Sequence, residues 1–466
     1  MSGRSDFHDD SGQVLVVVAL CLVVLIGFLG LAVDIGFVRH EQRRLQAAAD
    51  AAALAGALEV RVCGDSPNCS AMQTAAQTAL AENGYSGSTV ITDCATPGTA
   101  LTLMVNNPVC LSSTDPNKSK LNYVEAQISE TAPLYFSRVF GVNGFRIKAR
   151  AQAARGLGGP CIYALNPSAS GSLSVLAGLG FQSKCGIVVE SKSPTAVTCL
   201  IGLMSAPEIR VSGGTSGLLC GAVPPPITGV APPTPADPLA YLPAPPNAND
   251  ACGTRSGNVY NGSPKPVSLV LPLGSTYVFN PGVYCGGIAI TAAVLSNVTF
   301  NPGVYILRNG HNTILGIPGP TTSGLTITIG LLSSIVGNGV MFYNEGDGGS
   351  FSITATPALL GLSTYQLTAP TSGNYGGILF FQAHGVTNTG TFLVNLLQGS
   401  RMDGVIYMPD ALVTYGVGAV AGVSRFNGIV ADRIQFTAQI LSTIGNDYST
   451  LQSGSPLGGD HSELVQ

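Results

Sequence analysis

Tryptophan is absent from this sequence of 466 residues, and only 10% of the residues are charged. The net charge of −4 argues against a nucleic-acid partner, because proteins that bind nucleic acid need a basic face. The five histidines do not lie at metal-ligand spacing from the cysteines, so we expect no metal and no cofactor. With little charge and 59 glycines, the chain must rely on backbone hydrogen bonds, small polar side chains and regular stacking.

One long apolar run stands out near the N-terminus. Val14 to Val33 contains no charged residue and is followed by Asp34. Twenty helical residues, rising about 1.5 Å each, match a hydrocarbon core about 30 Å thick. The run predicts a transmembrane helix over 14–38 after an N-terminal tail at 1–13, which makes the lipid bilayer a partner. A cleavable signal peptide, with 30–32 as its small-residue site, is the alternative.

The residues that flank the span conflict over its orientation. Arg39, Arg43 and Arg44 follow the span, and counting them would place the C-terminal side in the cytoplasm. The cysteines and the low-charge, β-rich bulk indicate the opposite side, and long domains can cross a membrane largely regardless of flanking charge. We therefore expect the C-terminal bulk to lie outside the cytoplasm.

The cysteines support an oxidising compartment. Apart from Cys21, which lies in the apolar run, they form an even set without a close pair, which predicts disulfides. Buried free thiols are the alternative. The candidate disulfide cysteines are Cys63, Cys69, Cys94, Cys110, Cys161, Cys185, Cys199, Cys220, Cys252 and Cys285.

The helical pattern continues beyond the span. Residues 39–61 predict an Ala-rich helical stalk, which with the span makes one helix of about 45 residues. Its small side chains either allow another helix to approach closely or pack on the domain that follows. Residues 62–156 predict a small α+β domain, with a short aromatic-rich helix at 133–140 packed on its sheet.

An internal repeat dominates the second half. The six residues from Phe279 to Tyr284 recur as Phe300 to Tyr305, and glycine followed by Val or Ile recurs four more times. Such a period predicts a solenoid, here an all-β parallel β-helix over 157–448. A β-sandwich is the alternative. The stacked interior column is expected to contain Val283, Val304, Val340, Ile378, Val405 and Ile429.

Two segments interrupt or end the predicted solenoid. A Pro-rich excursion at 223–246 cannot join a sheet interior, because proline lacks the backbone donor. It is expected to cross the solenoid surface or to act as a linker. The polar, glycine-rich segment 449–466 predicts a flexible tail.

Catalytic chemistry has weak support in the sequence. β-Helices that cleave polysaccharides need clustered carboxylates. The acids here have different offsets from their repeat glycines, so we expect solvated turn residues, no catalytic site and no enzyme activity. They are Glu345, Asp347, Asp403, Asp410 and Asp432. A membrane-tethered carbohydrate-active enzyme or carbohydrate-binding protein is the alternative, which three converging carboxylates would favour.

Three features in order carry a family resemblance: Gly12 before the apolar run, the sequence AVDIG at 32–36, and LQAAADAAALA at 45–55. Together they resemble the N-terminal segment of TadG/TadE-like proteins of the Tad/Flp pilus-assembly family. The resemblance implies a single-pass bacterial inner-membrane protein with its bulk in the periplasm or at the cell surface. It also implies a structural or accessory role beside other pilus-assembly subunits. The alternative of a carbohydrate-binding protein makes surface glycans a further candidate partner.

The same resemblance marks residues for membrane insertion or assembly. These are Gly12, Asp34, Gly36, Leu45, Gln46 and Asp50. Asp34 is of particular interest because an acid at the end of a span is costly unless it is hydrated or paired. It either sits at the membrane interface or pairs with a basic group of a neighbouring subunit during assembly.

Overall fold

The structure, a computed structural model, forms two compact units. Unit 1 contains Met1–Ser119, Tyr123–Ala154 and Ser462–Gln466, and unit 2 contains Lys120–Asn122 and Arg155–His461. Residues 1–10 of the predicted tail lie outside the described residues. The structure describes residues 11–63, 66–92, 94, 100–110, 115–118, 120–156, 159–176, 181–200, 202–217, 220–246, 251–314, 317–355, 364–396, 400–420, 424–437, 442–458 and 462–465.

Unit 1 combines two helices with one sheet. The elements are α1 (Ser11–Cys63), α2 (Ser70–Glu82), β1 (Thr89–Ile91), β2 (Thr102–Asn106), β3 (Tyr123–Pro133), a 3₁₀ turn (Ser137–Phe140), β4 (Gly144–Arg155) and β35 (Ser462–Leu464). The strands follow the order β1-β2-β3-β4-β35, in which β1 and β2 are parallel and the β2–β3 and β3–β4 pairs are antiparallel.

Helix α1 changes character along its length. From Val14 to Val33 every residue except Gly30 is exposed, whereas Leu45 and Val60 are fully buried. This is the one helix in the described part of the chain that is long and apolar enough to cross a membrane. The N-terminal half is therefore a candidate single-pass anchor, and the C-terminal half belongs to a protein core.

The alanines of α1 pack within their own unit. The buried positions face α2 through Met72 and Ala76 and face the sheet through Val124 and Ile128. Of the two roles that the sequence left open for the small side chains, the structure shows packing on the following domain. The buried alanines of α1 are Ala48, Ala49, Ala52, Ala53 and Ala57.

Unit 2 is almost entirely β-structure. Its strands are β5 (Pro160–Ala164), β6 (Leu173–Val175), β7 (Phe181–Ser183), β8 (Gly186–Val189), β9 (Val197–Cys199), β10 (Gly202–Ser205), β11 (Ile209–Val211), β12 (Thr215–Ser216), β13 (Cys220–Val223), β14 (Ile227–Thr228), β15 (Thr254–Ser256), β16 (Val259–Asn261), β17 (Val267–Leu271), β18 (Thr276–Phe279), β19 (Gly282–Cys285), β20 (Ile288–Val294), β21 (Asn297–Phe300), β22 (Gly303–Arg308), β23 (Thr313–Ile314), β24 (Ile317–Pro318), β25 (Leu325–Leu331), β26 (Ser334–Asn338), β27 (Val340–Asn344), β28 (Phe351–Ala355), β29 (Thr364–Thr368), β30 (Ile378–Gln382), β31 (Gly390–Leu396), β32 (Arg401–Val420), β33 (Asn427–Phe436) and β34 (Ser442–Ile444).

Most of these strands pair in parallel and form three ladders within a sheet of 24 strands. Ladder 1 is β19-β22-β27-β30-β32-β33-β5-β8-β11-β14. Ladder 2 is β17-β20-β25-β28-β31-β32-β33-β6-β9-β12. Ladder 3 is β16-β18-β21-β26-β29-β32, and a separate parallel sheet has the order β13-β10-β7-β34.

The exact six-residue repeat forms two adjacent layers, which are in register at Phe279 and Phe300 but offset by two residues in the following strands, where Gly282 pairs with Tyr305. Phe279 pairs with Phe300, and their rings stack at 4.9 Å. Asn301 donates through Nδ2 to Asn280 Oδ1 at 2.6 Å. In each copy the tyrosine hydroxyl donates to the carbonyl of the asparagine four residues earlier, for example Tyr305 to Asn301 at 2.6 Å. The motif thus ties each turn to its own strand and to the layer beside it.

The expected single column of repeat valines and isoleucines is wrong in register. Ile378 and Val405 pair directly, but Gly303 pairs with Val340 and Gly282 with Tyr305, so other equivalent repeat positions are offset by one or two residues. The turns between copies differ in length, and a register shift of one residue exchanges the two faces of a strand. Val304 is accordingly only partly buried, whereas Tyr305 beside it is fully buried. The column that forms instead in ladder 1 is Tyr305, Phe342, Phe380, Ile406, Ile429, Ile162, Ile187 and Ile209.

The order of the strands in space differs from their order in the chain. Strand β33, near the end of unit 2, pairs with β5 and β6 at its beginning. The Pro-rich excursion at 223–246 contains β14, which pairs with β11. It contributes Leu239 and Leu242 to the apolar core, and Pro243 accepts a hydrogen bond from the Tyr375 hydroxyl at 3.1 Å. This segment therefore covers part of unit 2.

The predicted flexible tail at 449–466 is wrong for its described residues. Leu451 and Leu457 are 1% and 2% exposed, respectively, within unit 2. In unit 1, β35 lies beside β4, and the Val465 amide donates to the Gln152 carbonyl at 2.9 Å. A few apolar residues among glycines and serines carry no periodic pattern, which is why the sequence did not reveal these contacts.

Candidate functional site

The end of the apolar run is tied to unit 1 by one carboxylate. Asp34 is 2% exposed and accepts the backbone N–H groups of Tyr135 at 2.9 Å, Phe136 at 3.1 Å and Ser137 at 2.7 Å. The Ser137 hydroxyl donates to it as well, at 2.7 Å. The first amides of a helical turn have no partner within the turn, so the carboxylate satisfies donors that would otherwise be orphaned.

Two further polar contacts attach α1 to β4. Gln42 Nε2 donates to the Lys148 carbonyl at 2.6 Å, and Gln46 Nε2 donates to the Arg150 carbonyl at 2.8 Å. Gln46 also donates to Asp50 Oδ1 at 2.8 Å. Asp34, Gln42 and Gln46, at three successive levels of α1, therefore hold the helix along the hairpin that β3 and β4 form.

The residues predicted for membrane insertion or assembly have different environments. Asp34, Gln46 and Asp50 make contacts within the chain, and Leu45 is fully buried in the unit 1 core. Gly36 is exposed, and a Cβ placed there would meet no described atom within 4 Å. Gly12 lies in the first turn of α1, but its surroundings lie outside the described residues. An assembly role for these residues stays a prediction.

The loop that Asp34 holds is the feature that sequence reasoning missed. A short helix packed on the sheet was expected at 133–140, but only Ser137–Phe140 forms a 3₁₀ turn, and its side chains are not buried. Six apolar side chains of residues 135–145 are exposed, from 48% to 84%: Tyr135, Phe136, Val139, Phe140, Val142 and Phe145. Their aromatic content is visible in the sequence, but their exposure is not.

A polar cluster lies where the Pro-rich excursion meets ladder 1 of unit 2. The Tyr407 hydroxyl donates to Asp237 Oδ2 at 2.7 Å and lies 3.0 Å from His384 Nε2. The other ring nitrogen of His384 lies 3.5 Å from Asp410 Oδ2. We call Asp237, His384, Tyr407 and Asp410 the Tyr407 cluster.

Glu190 lies close enough to this cluster to interact with it electrostatically. It is 5% exposed, and its Oε1 has no hydrogen-bond partner among the described residues. Burial, together with the negative charge of Asp237, raises the pKa of Glu190 to about 7. The protonated form is therefore populated near neutral pH, as in carboxyl groups that act as proton donors.

Most of the other acids considered from the sequence are paired locally. Asp432 lies 3.2 Å from Arg433, and Glu345 pairs with Arg308. Asp403 differs from the expected solvated turn residue, because it is 3% exposed and pairs with Arg401 at 2.8 Å. Within the described ranges, no three His, Cys, Asp or Glu side chains are grouped to hold a metal ion.

The cysteines form pairs at disulfide distance in both units. In unit 1, Cys63 pairs with Cys69 and Cys94 with Cys110, each with Cα atoms 5.5 Å apart. In unit 2 the Cα–Cα distances are 5.6 Å for Cys161 and Cys185 and 5.8 Å for Cys252 and Cys285. Cys199 is also disulfide-bonded, and the side chain of Cys220 lies outside the description.

Comparison with known protein families finds two matches in the N-terminal part of the chain. Residues 12–59 match the Flp pilus-assembly TadE/G-like family, and residues 40–153 match the Tad-like Flp pilus-assembly family. The two matches cover α1, α2 and the sheet strands β1 to β4, and they confirm the resemblance drawn from the sequence. No curated protein and no solved structure matched the chain.

Proposed function

We propose that the protein is a membrane-anchored structural or accessory component of a Tad/Flp-type pilus or surface-assembly system. The family matches over residues 12–153 carry this proposal, because they span both the apolar anchor and the unit that packs on its continuation. In this proposal the anchor crosses the bacterial inner membrane once, and both units lie outside the cytoplasm, where they meet other pilus-assembly subunits.

The disulfide pairs support the extracytoplasmic placement. Disulfides persist in the periplasm and at cell surfaces and are rare in the reducing cytoplasm. PEG-maleimide added to intact spheroplasts is expected to modify cysteines such as Cys252 and Cys285 only after membrane-impermeant reduction. A cytoplasmic thiol protein serves as the control and should stay unmodified until lysis. Labelling of unit 2 cysteines only after lysis would place unit 2 in the cytoplasm.

We further propose that unit 2 is a parallel β-helix and that its ladders are faces of one coil. The proposal is supported by β32, a single strand of 20 residues that pairs with β29, β30 and β31 in turn. A β-sandwich would not need one strand to connect three parallel ladders. The coil would present a surface low in charge and rich in Ser, Thr and Asn, suited to adhesion or assembly.

Cross-linking can test this coil. In a Cys21→Ser background, Thr328→Cys with Thr354→Cys should form a disulfide, because these residues are paired and their hydroxyls lie 3.4 Å apart. The matched control is Thr291→Cys with Thr354→Cys, which are two strands apart and therefore separated by about 9.6 Å. Equal cross-linking of both pairs, or of neither, would contradict the pairing of β25 with β28 on which the proposed coil depends.

The role in pilus assembly has its own test. Deleting the gene for this protein should reduce the number of surface pili, and expressing the full chain should restore them. A chain that lacks residues 159–446 should not restore them if unit 2 is needed. Affinity isolation after cross-linking in cells should recover other pilus-assembly subunits with the full chain. Normal pili without the protein would refute the role.

A second candidate function, binding or cleavage of a carbohydrate, is favoured by the Tyr407 cluster. Asp237 and Asp410 lie beside Tyr407 and His384, and Glu190 interacts electrostatically with Asp237. A carboxyl with a raised pKa beside an ionised one is the arrangement that glycoside hydrolysis uses. Asp237→Asn should abolish binding on a glycan array, whereas Asp347→Asn, which changes an acid outside the cluster, should not.

A further inference from the structure

We propose that the loop at residues 134–143, with Phe145 beside it, inserts into the lipid bilayer as a second membrane contact next to the anchor helix. We call residues 134–143, together with Phe145, the membrane loop. The proposal rests on the anchoring role proposed for the N-terminal half of α1, and it extends the membrane contact from that helix to the tip of the β3–β4 hairpin. The partner is the same bilayer that the helix spans.

The position of the loop follows from its contacts with the apolar run. A Cβ at Gly30 would lie 3.0 Å from the Phe136 side chain, so Phe136 packs directly against the helix at that level. Gly30 lies four residues before Asp34, which is about 6 Å along a helix axis. Because the charge-free run ends at Val33, Phe136 lies at the depth of the apolar segment rather than beyond it.

A second ring contact continues this packing on the other side of Asp34. Phe37 and Tyr135 meet edge to face, with ring centroids 5.2 Å apart. Tyrosine and tryptophan are enriched where hydrocarbon meets headgroups, because their rings are apolar and carry one polar group. Tyr135 thus lies at the level expected for the membrane interface, with Phe136 one step deeper.

The exposed side chains show that no described residue covers the tip of the loop. Val139 and Phe140 at its tip are 84% and 82% exposed, respectively, and Val142 and Phe145 are about half exposed. Six apolar side chains exposed together form a patch of the kind that marks contact with a membrane or a partner. Here the patch is continuous with the exposed apolar surface of α1, so the bilayer that surrounds the helix also surrounds the loop.

Exposed basic side chains lie in and beside the loop, where lipid headgroups would be. Arg138 belongs to the 3₁₀ turn, Arg39 follows the span, and Lys148 lies on β4 next to its contact with Gln42. Lysine and arginine can extend their charge to the headgroup region while their alkyl stems stay in apolar surroundings. Arg39 and Gln42 lie about 7.5 Å and 12 Å beyond Asp34 along the helix axis, on the side where anionic phosphates would lie.

Asp34 positions this loop. Its carboxylate binds three successive amides of the loop, so the hairpin tip is fixed to the helix at one depth. A carboxylate alone at the end of a span would be poorly placed in lipid, but its oxygens are satisfied by these donors. The residue that the sequence marked for assembly thus has a role within its own chain.

The absence of tryptophan makes the test direct, because each introduced tryptophan is the only one in the chain. The full protein is reconstituted into vesicles of phosphatidylcholine and phosphatidylglycerol with or without brominated acyl chains, which quench tryptophan at bilayer depth. Phe140→Trp reports on the loop. Leu25→Trp reports on the span, and Val62→Trp, about 42 Å beyond Asp34 on the same helix, is the exposed control.

The expected result is bromolipid quenching of at least twofold for Phe140→Trp and Leu25→Trp, with none for Val62→Trp. Quenching of Leu25→Trp without quenching of Phe140→Trp would overturn the membrane loop and leave the anchor intact. A blue-shifted Phe140→Trp emission without bromolipid quenching would show burial against protein and would also overturn it. Absence of quenching at both positions would refute the anchor itself.

Discussion

Replacing Asp34 tests how strongly the anchor helix holds the hairpin tip. In Asp34→Ala the amides of Tyr135, Phe136 and Ser137 lose their acceptor, and so does the Ser137 hydroxyl. A hydrogen bond to a charged group contributes about 1.5–3 kcal/mol, and bonds to one carboxylate are not additive. We expect the loop to lose about 3 kcal/mol of local stability, which corresponds to roughly 100-fold faster amide exchange.

Hydrogen exchange followed by mass spectrometry, on the protein in lipid nanodiscs, measures this effect in peptides that cover 134–143. Asp34→Asn keeps one acceptor oxygen and should accelerate exchange less, by roughly tenfold. Asp50→Ala is the matched control, because it removes a carboxylate of the same helix that accepts from Gln46 and not from the loop. Unchanged exchange in the loop of Asp34→Ala would refute the reasoning.

Three other substitutions test the two units. Burial raises the pKa of Glu190 from 4.5 to about 7, so the protonated carboxyl stabilises the folded state fully below pH 4.5. This stabilisation is lost as the pH rises through 7. Glu190→Gln should therefore be more stable than the parent at pH 8, by at most about 3 kcal/mol in denaturant unfolding, and a parent-like pH profile would contradict the assignment. Gly56→Val should lower the stability of unit 1 by about 1–3 kcal/mol, because a Cβ at Gly56 would lie 3.2 Å from Val124 Cγ1. The control Gly36→Val has no such neighbour, and equal melting temperatures for both variants would count against this packing. Phe300→Ala, at a side chain that is 1% exposed, should cost about 3–5 kcal/mol in thermal unfolding of unit 2, and a loss below 1 kcal/mol would show that the ring stack is not part of the core.

Features that depend on nearby residues were predicted well. The charge-free run predicted a transmembrane helix, and the structure has a helix there that is long and apolar enough to span a membrane. The alanines after the run predicted that the helix continues, and it extends to Cys63. The exact repeat also predicted that its two copies stack on each other. They pair directly through Phe279 and Phe300, because they are close in the chain. In each case the pattern and the contact share one short stretch of chain.

Features that depend on distant segments were missed or left open. The partners of Asp34 are backbone amides about a hundred residues away, and a backbone N–H has no signature in the sequence. The Tyr407 cluster joins Asp237 to a tyrosine 170 residues later. Neither pairing could be read from spacing, because the intervening turns have no fixed length.

The amino-acid sequence by itself determined where a bilayer can be crossed, which helix continues from that point, and that unit 2 is built of short apolar strands. Hydrophobic content and local propensity decide these properties over one or a few turns of chain. Only the tertiary structure decided the register of the strands, the return of β33 onto β5, and the capture of the hairpin tip by Asp34. These depend on which backbone groups meet after folding, and many sequences with the same apolar pattern could pair them differently.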